Sequence, residues 1–351
     1  RFLHRPHLYA NTYKVGWDGN AEEYKTYLEK TFKETKVPVE VVDDDGPIIE
    51  PTFKAWWGVP DMPKINFKND GARQWALDVT EHWIKNFDID GWRMDVAKEL
   101  DFSFWKDFRD VAYSAKKDIL LISEIFGDTS QWLQGERFDG TMNYSFRETM
   151  TDYFATKRID NKEFANSLAN LYSMYSFEAL SSCQNLLSSH DVKRFLNRCG
   201  ANTDGMFGAI FLQATFPGIA GIYYGDEIGL GGADDPFNRE PFPWESEDKW
   251  NKDLLKFTSE LMNIKTSQPI LRYGNFEMVT YDDNYVIFRR VLNDESLLCI
   301  VNRDLNNKDI ELNTNAHSVD MVYGDCSIEL DSGKLKITDI ADNFGLIIKE
   351  S

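Results

Sequence analysis

The chain has 351 residues, 42% hydrophobic and 14% aromatic, enough for one large core with a smaller domain beside it, or for two to three ordinary domains. That composition excludes a disordered polypeptide, and a net charge of −19 argues against a nucleic-acid surface or an anionic membrane as partner. No apolar run is long enough to span a bilayer. Cys183, Cys199, Cys299 and Cys326 lie far apart without a C-x-x-C, so they read as free buried thiols, not as disulfides or metal ligands.

The first 60 residues are irregular, rich in Tyr, Trp, Pro and charge, with one helical patch at "AEEYKTYLEKTFKET". Such a segment is either a functional insertion or a tolerated surface excursion. From about residue 70, helices and strands alternate. Asp70 is placed to cap a helix in which Ala76, Val79, Trp83 and Ile84 share a face. "FDIDGWRMDV", residues 87 to 96, follows as a strand. Asp101 then caps "FSFWKDFRDVAYS", with Phe104, Trp105, Phe108, Val111 and Ala112 in an apolar stripe. Further strands are expected in "DILLISEIF" (118 to 126), "FDGTMNYSF" (138 to 146), "CQNLLSSHD" (183 to 191) and "GIAGIYYGDEIG" (218 to 229), with a last helix near 252 to 265. Near-continuous apolar strands between amphipathic helices predict a parallel sheet covered by helices. Beyond "SQPILRYGNF", short segments broken by Asp-Asp, Asn-Asp, Asn-Asn and Ser-Gly predict an all-β domain of roughly 80 residues.

Alternate side chains of a strand share a face. In "FDIDGWRMDV" this groups Ile89, Gly91, Arg93 and Asp95, the last two at the C-terminal end. The guanidinium there favours the ionised carboxylate that a nucleophile needs, although a structural ion pair would look the same. The same parity carries Glu124 to the end of "DILLISEIF", where an apolar surrounding suits the protonated form of a general acid; a helix-capping glutamate also fits. His190 and Asp191 end a third strand and would by themselves be a hydrogen-bonded pair. Charged groups delivered at one end of three strands are the arrangement of an α/β-barrel active site. An ionised carboxylate, a protonated one and a third acid describe a glycosidase better than a metal site.

These segments are also familiar. "GWRMDVAKE", "SEIFGD" and "LLSSHD" resemble three signature segments of the α-amylase superfamily of glycoside hydrolases. "MPKIN" (62 to 66) resembles an additional segment of its neopullulanase, cyclomaltodextrinase and maltogenic amylase branch, and "GIYYGDEIGLGGADDPFNREPFPW" is similar to that branch's eighth-strand region. The likeness runs from about residue 50 through the β-rich tail. It implies an α/β fold of the (β/α)8 TIM-barrel type over residues 67–270, an irregular insertion over 1–66, and a C-terminal antiparallel β-sandwich over 271–351.

The resemblance also implies roles. Asp95 would be the nucleophile of a covalent glycosyl-enzyme, and Glu124 the acid and then the base. Asp191 would grip sugar hydroxyls, with His190 and Arg93 supporting the bound glucosyl unit. Lys98 and Glu99 fall on the leaving-group side, and Phe126 stands where the branch often has tryptophan. Tyr144, Trp132, Trp56 and Trp57 are either sugar platforms or core packing. Arg194 and Arg239 match family positions where a structural salt bridge is the weightier role; Arg194 is kept among the candidate substrate contacts.

One signature does not occur, the Asp-x-x-x-Asn-His that ends the third barrel strand; none of His4, His7, His82, His190 and His317 has that context. The opening "RFLHRPHLYANTYKVGW" is similar to the insertion that follows it. The expectation is an incomplete barrel in which strands four to eight are present and the outer two have exposed edges. Arg93 is expected to lack its usual aspartate partner, and the chain alone to show poor activity and solubility.

The function implied is a retaining hydrolase of α-1,4-glucosidic bonds in an α-glucan or maltooligosaccharide. The alternatives are a transglycosylase using the same carboxylates, and a catalytically impaired, glucan-binding amylase-like module. A metal enzyme built on Asp95, Glu124 and Asp191 is opposed by the fixed charge of Arg93. No cofactor is required, while a structural calcium near the first 60 residues is compatible with the family. No nucleic-acid or membrane partner is expected, and any homo-oligomer would form through an N-terminal region.

Overall fold

Val39–Asp43 (β1) and Pro47–Pro51 (β2) pair antiparallel, with Val39 opposite Pro51 and Asp43 opposite Pro47. The computed structural model describes residues 39–43, 47–51, 55–56, 59, 62–304, 308–341 and 344–351. This strand pair corrects the irregular reading of the segment: Val39, Val41 and Val42, and Ile48 and Ile49, are β-branched residues suited to strands. The helical patch at 21 to 35 lies outside the described residues.

Asp70–Phe87 forms α1. Its first turn is capped by Asn69, whose Oδ1 accepts from the Ala72 N–H at 3.0 Å, so Asp70 is the first helical residue and not the cap. The buried face is Leu77, Thr80 and Ile84, one position round from the predicted stripe, and Trp83 is 43% exposed. Residues Arg1–Asn86 and Phe87–Ser351 are separate compact units.

In the second unit the predicted alternation is present. β3 (Gly91–Met94) leads through α2 (Phe102–Ala115) to β4 (Leu120–Ser123) and then β5 (Gly140–Thr141). Next come α3 (Tyr144–Met150), α4 (Asn161–Ser173), α5 (Phe177–Ser182) and β6 (Gln184–Leu186). After α6 (Phe195–Arg198) and α7 (Asp204–Thr215) comes β7 (Ile219–Gly221), and then α8 (Lys252–Ser267) and α9 (Pro269–Tyr273). Asp101 caps α2 as expected, accepting from Ser103 N. The helix buries Phe104, Trp105, Phe108 and Ala112, each large side chain contributing about 1.5–3 kcal/mol.

All five strands run parallel. Gly91 is opposite Leu120 and Met94 opposite Ser123; Ile122 is opposite Gly140, and Gln184 opposite Ile219. A parallel bridge between Met142 and Gln184 joins the two groups of strands, so neighbours in space are neighbours in sequence. That succession, with crossover helices, is a barrel arrangement. Among the described residues β3 pairs only with β4, and β7 only with β6.

The antiparallel part begins at β8 (Asn275–Tyr281) and continues through β9 (Val286–Leu292), β10 (Glu295–Val301) and β11 (Ile310–Asn313). It ends with β12 (Val319–Tyr323), β13 (Ser327–Asp331), β14 (Lys334–Thr338) and β15 (Gly345–Glu350). A sheet ordered β12-β15-β10-β9-β8 and one ordered β11-β14-β13 enclose a core that includes Ile287, Leu298, Ile300, Leu335, Ile337 and Ile348. Period-two alternation along β9 sends Ile287 into this core and turns Phe288 and Arg290 to the opposite face.

There Phe288 meets Phe276, while Arg290, wholly buried, donates Nη1 to Thr215 O (2.6 Å) and Leu271 O (3.0 Å) and Nη2 to Gly274 O (2.7 Å). Those carbonyls end α7 and α9, where helix dipoles favour a cation. Lys265 of α8 adds a second buried basic side chain, donating to Ala214 O and Phe216 O; burial, with the Arg290 charge beside it, lowers its amine to about 7. All four cysteines are free; Cys183 and Cys299 are buried, and Cys199 and Cys326 partly so. No helix among the described residues is long and apolar enough to cross a membrane.

Candidate active site

The three expected strand ends converge. Asp95 follows β3, Glu124 follows β4, and His190 and Asp191 follow β6, all at C-terminal ends of parallel strands. Arg93 donates Nη1 to Asp95 Oδ1 at 2.6 Å, and its Nη2 lies 2.5 Å from Glu124 Oε1. One guanidinium therefore grips two carboxylates side by side. No aspartate of the absent third-strand signature pairs with Arg93 among the described residues; Glu124 takes its remaining terminal nitrogen. Charge-assisted bonds of this length are strong and fix both acids in register.

Glu124 is buried and held from several sides. Its Oε2 accepts from Val96 N at 3.0 Å, its own N–H donates to Met94 O, and its carbonyl accepts from Ala97 N. Burial pushes the carboxyl from 4.5 up to about 7; the Val96 N–H and Arg93 oppose the rise and Asp95 adds to it. Val96 pays locally for this arrangement, since a β-branched residue stands in the left-handed region at φ 44°, ψ 46°.

Glu124, His190 and Asp191 each present an oxygen or ring nitrogen within 4.8 Å of one another. His190 Nε2 lies 3.1 Å from Asp191 Oδ2. A cation placed among them would meet the Arg93 guanidinium already on Glu124, which disfavours a metal centre. Tyr144, at the start of α3, shares a 3.2 Å hydrogen bond with Ser189. Burial pushes its phenol up to about 12; the Ser189 hydroxyl opposes this, and the charges of Glu124 and Asp191 add to it. Phe126, 51% exposed, stacks on Tyr144 with centroids 3.8 Å apart. Lys98 and Glu99 lie on the helical turn Ala97–Glu99 immediately beyond Asp95.

Not every expected contact is at the site. Arg194 is wholly buried, with Nη1 on Tyr224 O (2.7 Å) and its guanidinium over the Tyr223 and Tyr224 rings. It holds the loop after β7 and cannot reach a solvent-borne ligand, which corrects its place among the substrate contacts. Trp132 packs edge-on against Phe102, and Trp57 lies outside the described residues.

Conversely, Arg239 does more than close a structural salt bridge. Its Nη2 is 3.5 Å from Asp191 Oδ1 and its Nε donates to His190 O. Sequence reasoning missed Asn238 entirely. This buried amide donates to Ser189 O (3.4 Å), His190 O (2.9 Å) and Val192 O (3.0 Å), clamping the turn that carries the third acid. Asn238→Asp would set a carboxylate against three carbonyls. It is expected to lower kcat at least tenfold and to cost about 2–3 kcal/mol of stability, read from initial rates and urea melts.

Parallel strands in barrel succession, with three acids gathered at their C-terminal ends, form a site of the α/β-barrel enzyme kind. The sequence matches the alpha amylase catalytic domain over residues 52–269, more than half of the chain, and the protein belongs to the α-amylase family. It is 36% identical over 255 residues to a cyclomaltodextrinase of Geobacillus thermopakistaniensis (72% of this chain, 43% of the relative). It is 39% identical over 246 residues to neopullulanase 2 of Thermoactinomyces vulgaris (70% and 42%). Among solved structures, a cyclomaltodextrinase matches with a TM-score of 0.79 at 30% identity, covering 90% of this chain and 53% of that one. The debranching enzyme of Nostoc punctiforme matches with 0.79 at 28%, covering 90% and 68%. The chain spans less than half the length of these two curated relatives.

Proposed function

We propose that the site cleaves α-glucosidic bonds of an α-glucan or maltooligosaccharide through a covalent glycosyl-enzyme, with retention of configuration. The observation carrying this reading is the pairing of Asp95 and Glu124 on one guanidinium, with Asp191 and His190 beside Glu124. Glu124, which burial keeps protonated in a large share of molecules near neutral pH, gives its proton to the glycosidic oxygen as the C1–O bond breaks. The Asp95 carboxylate attacks C1 from the opposite face and forms a glycosyl ester. The Glu124 carboxylate then takes a proton from water, whose oxygen displaces Asp95 and restores both acids. Asp191, backed by His190 and Arg239, accepts from the sugar hydroxyls.

Among the described residues β3 and β7 each pair on one side alone, which supports a barrel whose remaining circumference is made by further parallel strands in the active form. The named relatives, a cyclomaltodextrinase and a neopullulanase, support the substrate class.

The test is proton NMR of fresh product from maltotriose or β-cyclodextrin. The reducing end newly formed on the glycosyl part is expected as the α-anomer; a β-anomer there would remove the glycosyl-enzyme from the scheme. Oligosaccharides longer than the substrate would mean that transfer competes with hydrolysis.

A further inference from the structure

The crossover from β4 to β5 departs from the other connections. Parallel strands are usually joined through a helix, and α2 serves β3 to β4, whereas residues 124–139 contain only the helical turn Ser130–Trp132. Beside this crossover, between α2 and α5, lies a groove of about 330 Å³. Leu120 and Asp139, which line it, stand at the N-terminal ends of β4 and β5. Four strand residues separate it from Glu124, roughly 13 Å, so it is distinct from the carboxylate cluster.

The groove has a rigid apolar floor of Ile119, Leu133, Phe138 and Ala179, all buried. One wall is a fixed polar network. Arg109 Nη1 and Tyr113 OH both donate to Asp139 Oδ1 at 2.7 Å, and Leu121 N donates to Asp139 Oδ2 at 2.8 Å. Arg109 also covers one face of the Tyr113 ring at 4.2 Å. The rim carries the exposed residues Asp118, Ser176 and Glu178.

This chemistry selects its occupant. Three carboxylates, Asp118, Asp139 and Glu178, and one guanidinium that Asp139 already engages line the groove, so an anion is disfavoured. The charged walls disfavour a purely apolar guest. A neutral polyol matches: C–H faces lie on the floor, and hydroxyls donate to rim carboxylates and accept from Arg109. The volume falls at the lower end of small-ligand sites, roughly 300–1,000 Å³.

We infer that this groove is a second saccharide-binding site, away from the catalytic carboxylates, holding one or two glucosyl units of an α-glucan chain. The choice of glucan rests on the proposed function; the polyol chemistry does not.

The test is calorimetric titration of the full chain carrying Glu124→Gln with maltotriose, alone and combined with Ser176→Trp, which fills the groove from its rim. Two classes of site are expected in the first protein and one in the second. Glu178→Lys, which reverses a rim charge without adding bulk, should weaken the second class about tenfold and serves if Ser176→Trp does not fold. Unchanged stoichiometry and affinity in both groove variants would overturn the inference. So would calcium binding abolished by Glu178→Lys with no second maltotriose site, which would make the groove a cation site. Turnover in the wild type with no second site refutes the groove alone. A groove site in a protein whose fresh product is the β-anomer refutes the proposed function alone.

Discussion

Glu124→Gln is expected to lower kcat by about a hundred- to ten-thousandfold on any substrate whose leaving group needs a proton, while KM changes little. The substitution keeps shape and the acceptor for Val96 N, loses the acceptor that faces Arg93 Nη2, and removes the transferable proton. Burial raises this carboxyl from 4.5 to about 7, so at neutral pH a large share is already the acid that departure of the leaving group requires. The protonated form is the donor. Wild-type kcat/KM should therefore fall about tenfold per pH unit above pH 7, and the Gln variant should lack that limb.

Folding carries the same signature with a definite sign. The folded protein binds this proton more tightly than the unfolded chain, so its contribution to stability falls as pH rises from about 4.5 to about 7 and is flat above. A pH profile unaltered by the substitution, or activity kept on a substrate with a poor leaving group, would remove Glu124 from its role.

Arg290→Met carries the largest expected loss of stability. Three carbonyls, of Thr215, Leu271 and Gly274, would lose a charged donor in a site from which water is excluded. Unsatisfied buried acceptors cost about 1–3 kcal/mol each, so a loss of about 4 kcal/mol or more is expected in urea unfolding. Burial lowers the guanidinium only to about 10, so it stays charged at neutral pH and binds these carbonyls at full strength. Because β9 carries the residue and α7 and α9 carry its acceptors, the antiparallel sheets should loosen from the helical layer first. Near-UV circular dichroism of Phe and Tyr packing should report that before the far-UV signal changes. A loss under about 1 kcal/mol would mean that water replaces the side chain without penalty.

Much of this arrangement was written in strand-end chemistry. Asp95, Glu124, His190 and Asp191 were legible because each ends an apolar run at a parity that fixes its face, and parallel strands then bring those ends together. The capping of α2 by Asp101 was equally local. What escaped was non-local or conformational. Asn238 reaches its carbonyls across 46 to 49 residues, and nothing in "DPFNRE" announces it. The second bond of Arg93 depends on how β3 and β4 align, which a single strand does not encode. Arg194 resembled a binding residue by position, and only its complete burial shows that its bonds go inward. On α1 the periodicity was right and its phase was not: Leu77 and Thr80 are covered where Trp83 was expected.

Val96 has a consequence for how this sequence could drift. Its left-handed backbone costs a β-branched residue on the order of 1–3 kcal/mol, whereas glycine adopts it freely and asparagine nearly so. A library randomised at position 96 and selected only for heat resistance should enrich both, while a screen for turnover need not follow, because a looser Val96 N–H holds Glu124 less firmly. Thermal robustness and chemical competence would then pull this single codon in opposite directions.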